Sequence, residues 1–463
     1  MKKVQTMLYL TLFFMLTGRV VNAQFVVKGP DSTSANQSLI IKNGKNDTSM
    51  VVRGDNRVGI GTVNPQRTLH VKGVIYGDSG VQFPDGTIQL TGFTGTVNYG
   101  KSFVVAASGG NFTTITAALN ACVAPSATNQ YLVTVMPGVY TESIRCKRHV
   151  HLRGAGKYAS VIQGTVWGAD SSMVEGFRIT KGFFCNGTSP TILLNIISNS
   201  RSDTADGIFI NANGRPWIKE NEVEKCSKWG IRCVGVGADP WIIANRIMKN
   251  DSGGIRCENA SPAISNNFLD SNNLYGIYLV GGDDMPSEPT IDDNVIGHTD
   301  FNSIGIGIFM RGRAEPRIMS NDIYLNDCGI WIDPATQPSI IGNNINYNRR
   351  AGIRCFSQGS SKRVVITGNH IHSNCRAGSA PQQAGIWVQN ANPLISFNQI
   401  TQNDNSSTPI QPDIDFSACL PAPPTNLPTI SSNVIGILNR GSLPMGLVGG
   451  SFNTDLNGIQ INP

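Results

Sequence analysis

Beyond residue 16 the sequence has no apolar run long enough to cross a bilayer, so nothing after that point reads as a membrane-spanning helix. The residue directly after Ala23 is Gln24 rather than cysteine, so no lipid anchor is expected at that cleavage site. A strong charge excess is also missing. The formal charge is +6, but Lys2, Lys3 and Arg19 fall in the leader and no acidic residue does, leaving 34 − 31 = +3. That balance argues against a dedicated nucleic-acid binder. There is no Walker loop, no nucleotide fingerprint after a strand and no Ser-His-Asp motif. Helical periodicity is absent from the body of the chain, where apolar residues alternate with period 2.

What is present is repetition. An apolar residue, two residues, an asparagine, one residue and a second apolar residue recur ten times. The asparagines are Asn195, Asn221, Asn245, Asn267, Asn294, Asn321, Asn343, Asn369, Asn398 and Asn433, at steps of 22 to 35 residues. A fixed period in that range means one structural unit stacked on copies of itself. Each unit opens on a Gly-Ile-x-apolar piece, such as Gly230 to Cys233 or Gly329 to Ile332, and most continue with Pro-x-Ile. The runs are short, β-branched and punctuated by Gly, Pro, Asn and Asp, so they are strands. Three short strands in about 22 residues make one coil of a parallel β-helix, each strand pairing with its copy one coil on. The asparagines belong at the bends, where Asn tolerates a left-handed backbone and its amide can bond the turn. Stacked amides can also bond one another, and a second set (Asn250, Asn272, Asn326, Asn348, Asn374 and Asn403) lies five residues on. The fold class expected is all-β: a right-handed parallel β-helix of about ten to thirteen coils over residues 98–463.

Residues 1–23 read as a signal peptide, with a charged start, an apolar core from Met7 to Leu16 and a small-residue cleavage site at Val21 to Ala23. The expected destination is secreted or cell-surface, with the periplasm as an alternative. All ten cysteines lie beyond the leader. Cys233, Cys257 and Cys355 share one inward strand position and read as buried thiols. A Cys233–Cys257 disulfide between adjacent coils is the other reading.

Residues 24–97 differ in kind. Arg57 to Pro65, Leu69 to Val71 and Val81 to Gln89 resemble stalk and neck segments of phage tail-fibre-like and bacterial surface proteins, which often trimerise. Phe103 to Leu119, Val133 to Glu142 and His151 to Gly156 resemble the opening of the pectin-lyase-like superfamily, pectinesterases in particular. That resemblance implies a short helix over Thr113 to Ala121 plugging the open end of the coil, and residues 173–179 add one further coil before the ten. The pectinesterase Gly-Thr-x-Asp-Phe-Ile-Phe-Gly and Gln-Ala-Arg motifs are absent, as is the Asp-Pro-His-Glu of alginate epimerases, so no catalytic residue carries over from either.

The Gly-Ile-x-apolar strand places one residue per coil on the outside: Phe209, Arg232, Arg256, Tyr278, Phe309, Trp331, Arg354 and Trp387. With strands about 4.8 Å apart the stripe is about 35 Å long. Aromatic rings stack on sugar faces and Arg forks onto carboxylates, so the favoured partner is a polysaccharide, acidic by preference. Burial under loops, the N-terminal segment or another subunit is the competing explanation. If the glycan is cleaved, by a lyase or hydrolase, the candidate residues are Asp283, Asp284, His298 and Asp300 in two enlarged connections, with Arg256 and Arg311. The same carboxylates suit Ca²⁺, the one cofactor considered. His149/His151 and His370/His372 form i, i+2 pairs expected to face solvent, each a weak metal site alone. The leading expectation is an exported β-helix that binds, and in one version cleaves, a polysaccharide. The alternative is a non-enzymatic trimeric adhesin or fibre-like attachment protein. A third idea is a periplasmic β-helix serving metal or cofactor maturation.

Overall fold

The computed structural model describes residues 37–42, 48–53, 57–65, 68–71, 81–82, 88–89, 99, 101–199, 206–282, 286–299, 304–356, 363–376, 383–403, 412–415, 429–435 and 438–439. The expected signal peptide lies outside these residues. The chain divides into two compact units, residues 1–96 and 97–463.

In the first unit, Gln37–Lys42, Thr48–Arg53, Val58–Ile60 and Leu69–Val71 form a four-stranded sheet in chain order. The first three pair antiparallel and the last pairs parallel. Val51 is buried, whereas Ile40, Ile41, Ile60, Val63 and Leu69 are exposed.

The second unit is a right-handed parallel β-helix of three sheets, with 13, 14 and 13 strands among the described residues. The first sheet holds the Gly-Ile strands, such as Trp229–Val234 and Gly253–Glu258. The second holds the Pro-x-Ile strands, such as Trp241–Ile243, and the third the strands after the asparagine, such as Arg246–Met248. In each sheet every strand pairs with the equivalent strand one coil on. Ile, Val, Leu and Cys side chains from all three sheets fill one continuous core. The thiols of Cys233, Cys257 and Cys355 point into it, and Cys233 and Cys257 are not joined. Helix α1 (Ile115–Ala121) closes the N-terminal end, burying Ile115, Ala118 and Leu119. It starts two residues later than Thr113 because Thr114 is its N-cap. The Glu142 carboxylate accepts from the backbone N–H groups of Ile115 (2.7 Å) and Thr116 (2.9 Å), satisfying donors that a helix start leaves open.

The ten asparagines form one unbroken ladder between the second and third sheets. From Asn195 to Asn398, each Nδ2 donates to the Oδ1 of the next, at 2.9–3.2 Å. Each backbone N–H donates to that same oxygen, as Asn321 does to Asn343 at 2.9 Å. The left-handed residue, however, is the one before the asparagine. Glu220, Ala244, Asp293 and Ser320 have φ between 54° and 56°. Asn supplies the amide, and its neighbour carries the strained backbone. The second ladder lies between the third and first sheets. It runs in two stretches, from Asn250 to Asn272 and from Asn326 through Asn348, Asn374 and Asn403 to end on Asp413. At Thr299 a backbone N–H takes the ladder position without an amide side chain. Beside this ladder the Gly column admits no side chain: a Cβ on Gly307 would lie 2.6 Å from the Gly329 carbonyl.

Asn343→Ala should lower the stability of the helix by about 3 kcal/mol, because it strands buried groups on Asn321, Ile318 and Asn369 together. The denaturant midpoint measures this, and an unchanged midpoint would show that the ladder follows from the coil rather than holding it. Burial pushes the thiols of Cys226 and Cys328 up to about 12. Both should therefore stay unmodified by iodoacetamide at pH 8 in the native protein and react once it is unfolded, as peptide mass analysis would show.

Candidate functional site

Register pairing stacks the eight stripe residues directly over one another on the outer face of the first sheet. The row continues toward the N-terminus through Phe184, Trp167 and Arg145. These three escaped the sequence pattern because their coils lack the Gly-Ile signature. From Trp167 to Trp387 ten successive strands carry an aromatic ring or a guanidinium, about 43 Å of ladder.

A second column widens the row. Trp229 and Tyr275 lie two residues before the Ile of the motif, yet both rings turn outward. Their centroids are 5.9 Å apart, stacked above and below Gly253. A Cβ on Gly253 would meet the Trp229 ring at 2.4 Å, so the small residue lets the rings close over it. Tyr275 packs on Tyr278 (4.8 Å) and Phe309 (5.5 Å). With Trp331 these partly buried rings cover Ile306, Cys328 and Ala351, an apolar cluster separate from the helix core. Phe356 stacks on Trp331 at 5.3 Å and completes the far end. A strict period-2 reading hides Trp229 and Tyr275, since it places them on the inward side with Ile231 and Ile277.

The arginines are interleaved with the rings. Arg256 lies 5.2 Å from the Tyr278 centroid and 5.6 Å from Trp229. Arg354 lies 3.9 Å from Trp331, 5.2 Å from Phe356 and 5.3 Å from Trp387. The expectation of a uniformly exposed stripe needs correcting. Arg354 and Trp387 are only 2% and 4% exposed, because they pack into this ring cluster, and the remaining six are half-buried. Burial accordingly lowers the Arg354 pKa. The guanidinium forks are also engaged. Glu258 Oε1 accepts from Arg232 (2.7 Å) and lies 2.9 Å from Arg256 Nε, while Arg232 approaches Asp206 at 3.6 Å. Burial raises the Asp206 pKa in spite of that neighbour.

The proposed catalytic set does not form one constellation among the described residues. Arg256 and Arg311 both reach Tyr278, Arg311 by a 3.4 Å bond to its hydroxyl. His298 is elsewhere, beyond the third sheet, with Nδ1 2.6 Å from Asp270 and its ring edge-on to Tyr324. Asp283, Asp284 and Asp300 lie outside the described residues. Among the described residues no cluster of three or more His, Cys, Asp or Glu is arranged to hold a metal ion. His370 and His372 do face outward, with rings stacked 4.1 Å apart. His151 does not: it is 6% exposed, bonded to the Tyr99 hydroxyl and 3.1 Å from Glu175, because Tyr99 covers it.

The sequence profile of the right-handed beta helix region family matches residues 163–296 and 242–400. No curated protein matches the chain. Among solved structures, the Dettilon tailspike protein is 15% identical with a TM-score of 0.43, covering 76% of this chain and 66% of its own. The mannuronan C-5 epimerase A-module of Azotobacter vinelandii is 16% identical with a TM-score of 0.41, covering 74% of this chain and 94% of its own. Pectate lyase Pel9A is 13% identical with a TM-score of 0.38, covering 70% and 80%. None of these similarities assigns an activity. No helix among the described residues is long and apolar enough to cross a membrane.

Arg354→Ala should cost about 2 kcal/mol, since it empties a buried cage between three rings. Arg256→Ala, at a half-exposed pair, should cost about 1 kcal/mol or less. Chemical denaturation of both variants checks the ranking.

Proposed function

The chain belongs to the right-handed beta helix family, and from that premise we propose that it is an exported, surface-associated protein that binds a linear polysaccharide along the ring-and-arginine row of its first sheet. The observation that carries this reading is the row's continuity: ten successive strands present a planar side chain at one register position. A chain of sugar residues is the ligand class whose own repeat runs alongside such a ladder. Tyr278, Phe309 and Trp331 at its centre are half-buried, so each ring is held rigid with part of its surface in water.

Glu258 and Asp206 neutralise the central arginines, so stacking rather than charge should dominate the contact. Preference for an acidic glycan then falls to Arg145 and Arg311, which are exposed. Binding is the proposed activity. Cleavage would need an acid and a base beside the row, and the one described His candidate lies beyond the third sheet.

One observation favours the second reading, a trimeric adhesin or fibre. Ile40, Ile41, Ile60 and Leu69 of the small N-terminal sheet are all more than 40% exposed, as a stalk that pairs with copies of itself would require.

Tyr278→Ala and Trp331→Ala should each weaken polysaccharide binding about tenfold, a loss of about 1.4 kcal/mol, with little dependence on salt. Affinity electrophoresis of the mature protein against acidic and neutral polysaccharides, with Ca²⁺ present, measures it. Unchanged retardation in both variants, together with a trimer by light scattering, would favour the attachment reading instead.

A further inference from the structure

The outer face of the second sheet carries its own aromatic feature, unconnected with the row. Trp217 and Trp241 sit on adjacent coils in register, with rings stacked 5.0 Å apart at 28°. They remain 47% and 38% exposed, unlike the half-buried rings of the first sheet. One indole face of Trp241 is taken by Trp217. The neighbour on its other side is only a methyl group, Ala263, followed by Thr290 and then Arg317. Trp241 and Arg317 thus stand about 14 Å apart, three strand spacings, with two small side chains between them. The inward neighbours Ile242, Ile264, Ile291 and Ile318 are fully buried, so the floor of this notch is rigid sheet.

One side of the notch is polar. In the neighbouring column Ser265 pairs in register with Asp292, and the Ser265 hydroxyl donates to Asp292 Oδ2 at 3.0 Å. The other carboxylate oxygen has no partner among the described residues, nor does the Thr290 hydroxyl. Arg317 forms no ion pair with Asp292; its guanidinium lies 3.4 Å from the Met319 sulfur. Burial raises the Asp292 pKa, the serine bond opposes the rise and the neighbouring Asp293 adds to it.

We propose that this notch is a second carbohydrate subsite, taking one or two neutral pyranose residues, with Trp241 as the stacking platform, Ala263 and Thr290 as the floor and Asp292 as the acceptor for sugar hydroxyls. A stacked sugar needs an open indole face, a gap beside it and a hydrogen-bond acceptor at the ring's edge, and the notch supplies all three. A carboxylate fixed by a serine accepts from a neighbouring hydroxyl more strongly than a neutral group would. An acidic sugar would instead meet the Asp292 charge at close range. The site is independent of the row on the first sheet and does not require the row to bind glycan.

The test uses the whole mature protein in affinity electrophoresis against hydroxyethylcellulose, xylan, galactomannan and alginate. It is run both in the wild-type background and with the row disabled by Tyr278→Ala and Trp331→Ala. Trp241→Ala, Ala263→Leu and Asp292→Asn should each weaken binding to at least one neutral polysaccharide by fivefold or more in the row-disabled background. Ala263→Leu fills the gap while leaving both indoles in place, so its effect cannot come from lost packing of the pair. Native circular dichroism and melting temperature confirm the fold of each variant. No retention of any neutral polysaccharide by the row-disabled protein overturns the proposal. So does a loss in Trp241→Ala that Ala263→Leu does not share, and so does a loss confined to alginate. Binding that disappears only with the row variants would leave the row reading standing and remove this one.

Discussion

The bend between the second and third sheets is the constraint on which everything else rests. Each coil must turn there through one residue in the left-handed region, a conformation that costs an L-residue about 1 kcal/mol or more. The turn also leaves backbone donors and acceptors facing a core with no water in it. One asparagine per coil answers the second need. Its Oδ1 accepts a backbone N–H and an amide N–H from the preceding rung, and its Nδ2 donates to a carbonyl one coil back and to the next rung. Because each amide is tied to the next, the bends stack in line, and every strand is held in register with its neighbours. The rows on the outer faces are a consequence of that alignment.

This explains why the fold was legible in the sequence and the site only partly so. The ladder has to repeat, so its spacing is written plainly, and eight members of the outer row follow from the motif beside it. The left-handed position belongs to the residue before the asparagine, and that residue varies freely (Glu220, Ala244, Asp293, Ser320) and leaves no pattern. Trp167 and Phe184 lack the Gly-Ile signature, and strict two-residue alternation would turn Trp229 and Tyr275 inward. The burial of Arg354 was beyond reach, since it depends on Trp331, Phe356 and Trp387, whose contacts cross three coils. The Trp217–Trp241 pair was visible in principle, as each tryptophan directly follows the proline of a Pro-x-Ile strand.

The two outer faces solve the display of aromatic rings differently. On the first sheet the rings pack on one another, on arginines and on a small apolar patch of their own, so they are rigid and partly dry. Arg232 and Arg256 share the Glu258 carboxylate and Arg354 is held by rings, so the charge at the centre of the row is partly offset. On the second sheet two rings stand together beside small residues and stay more exposed than those of the row. A rigid, continuous row suits a long repetitive ligand. An isolated pair beside a notch suits a single contact point.

Since each rung of the ladder bonds only within its own coil and to the coils directly above and below, the amide stack has no preferred length. A stretch of chain spanning one asparagine to the next could be duplicated or lost, and the two new neighbours would meet with the same donors and acceptors as before. The protein's reach along its axis is therefore open to inheritance in whole-coil steps, without any redesign of the core. The outer faces have no such freedom: an added coil would push Trp241 away from Asp292, or interrupt the row at its centre. Selection acting on length and selection acting on recognition would be felt at different residues of the same coil.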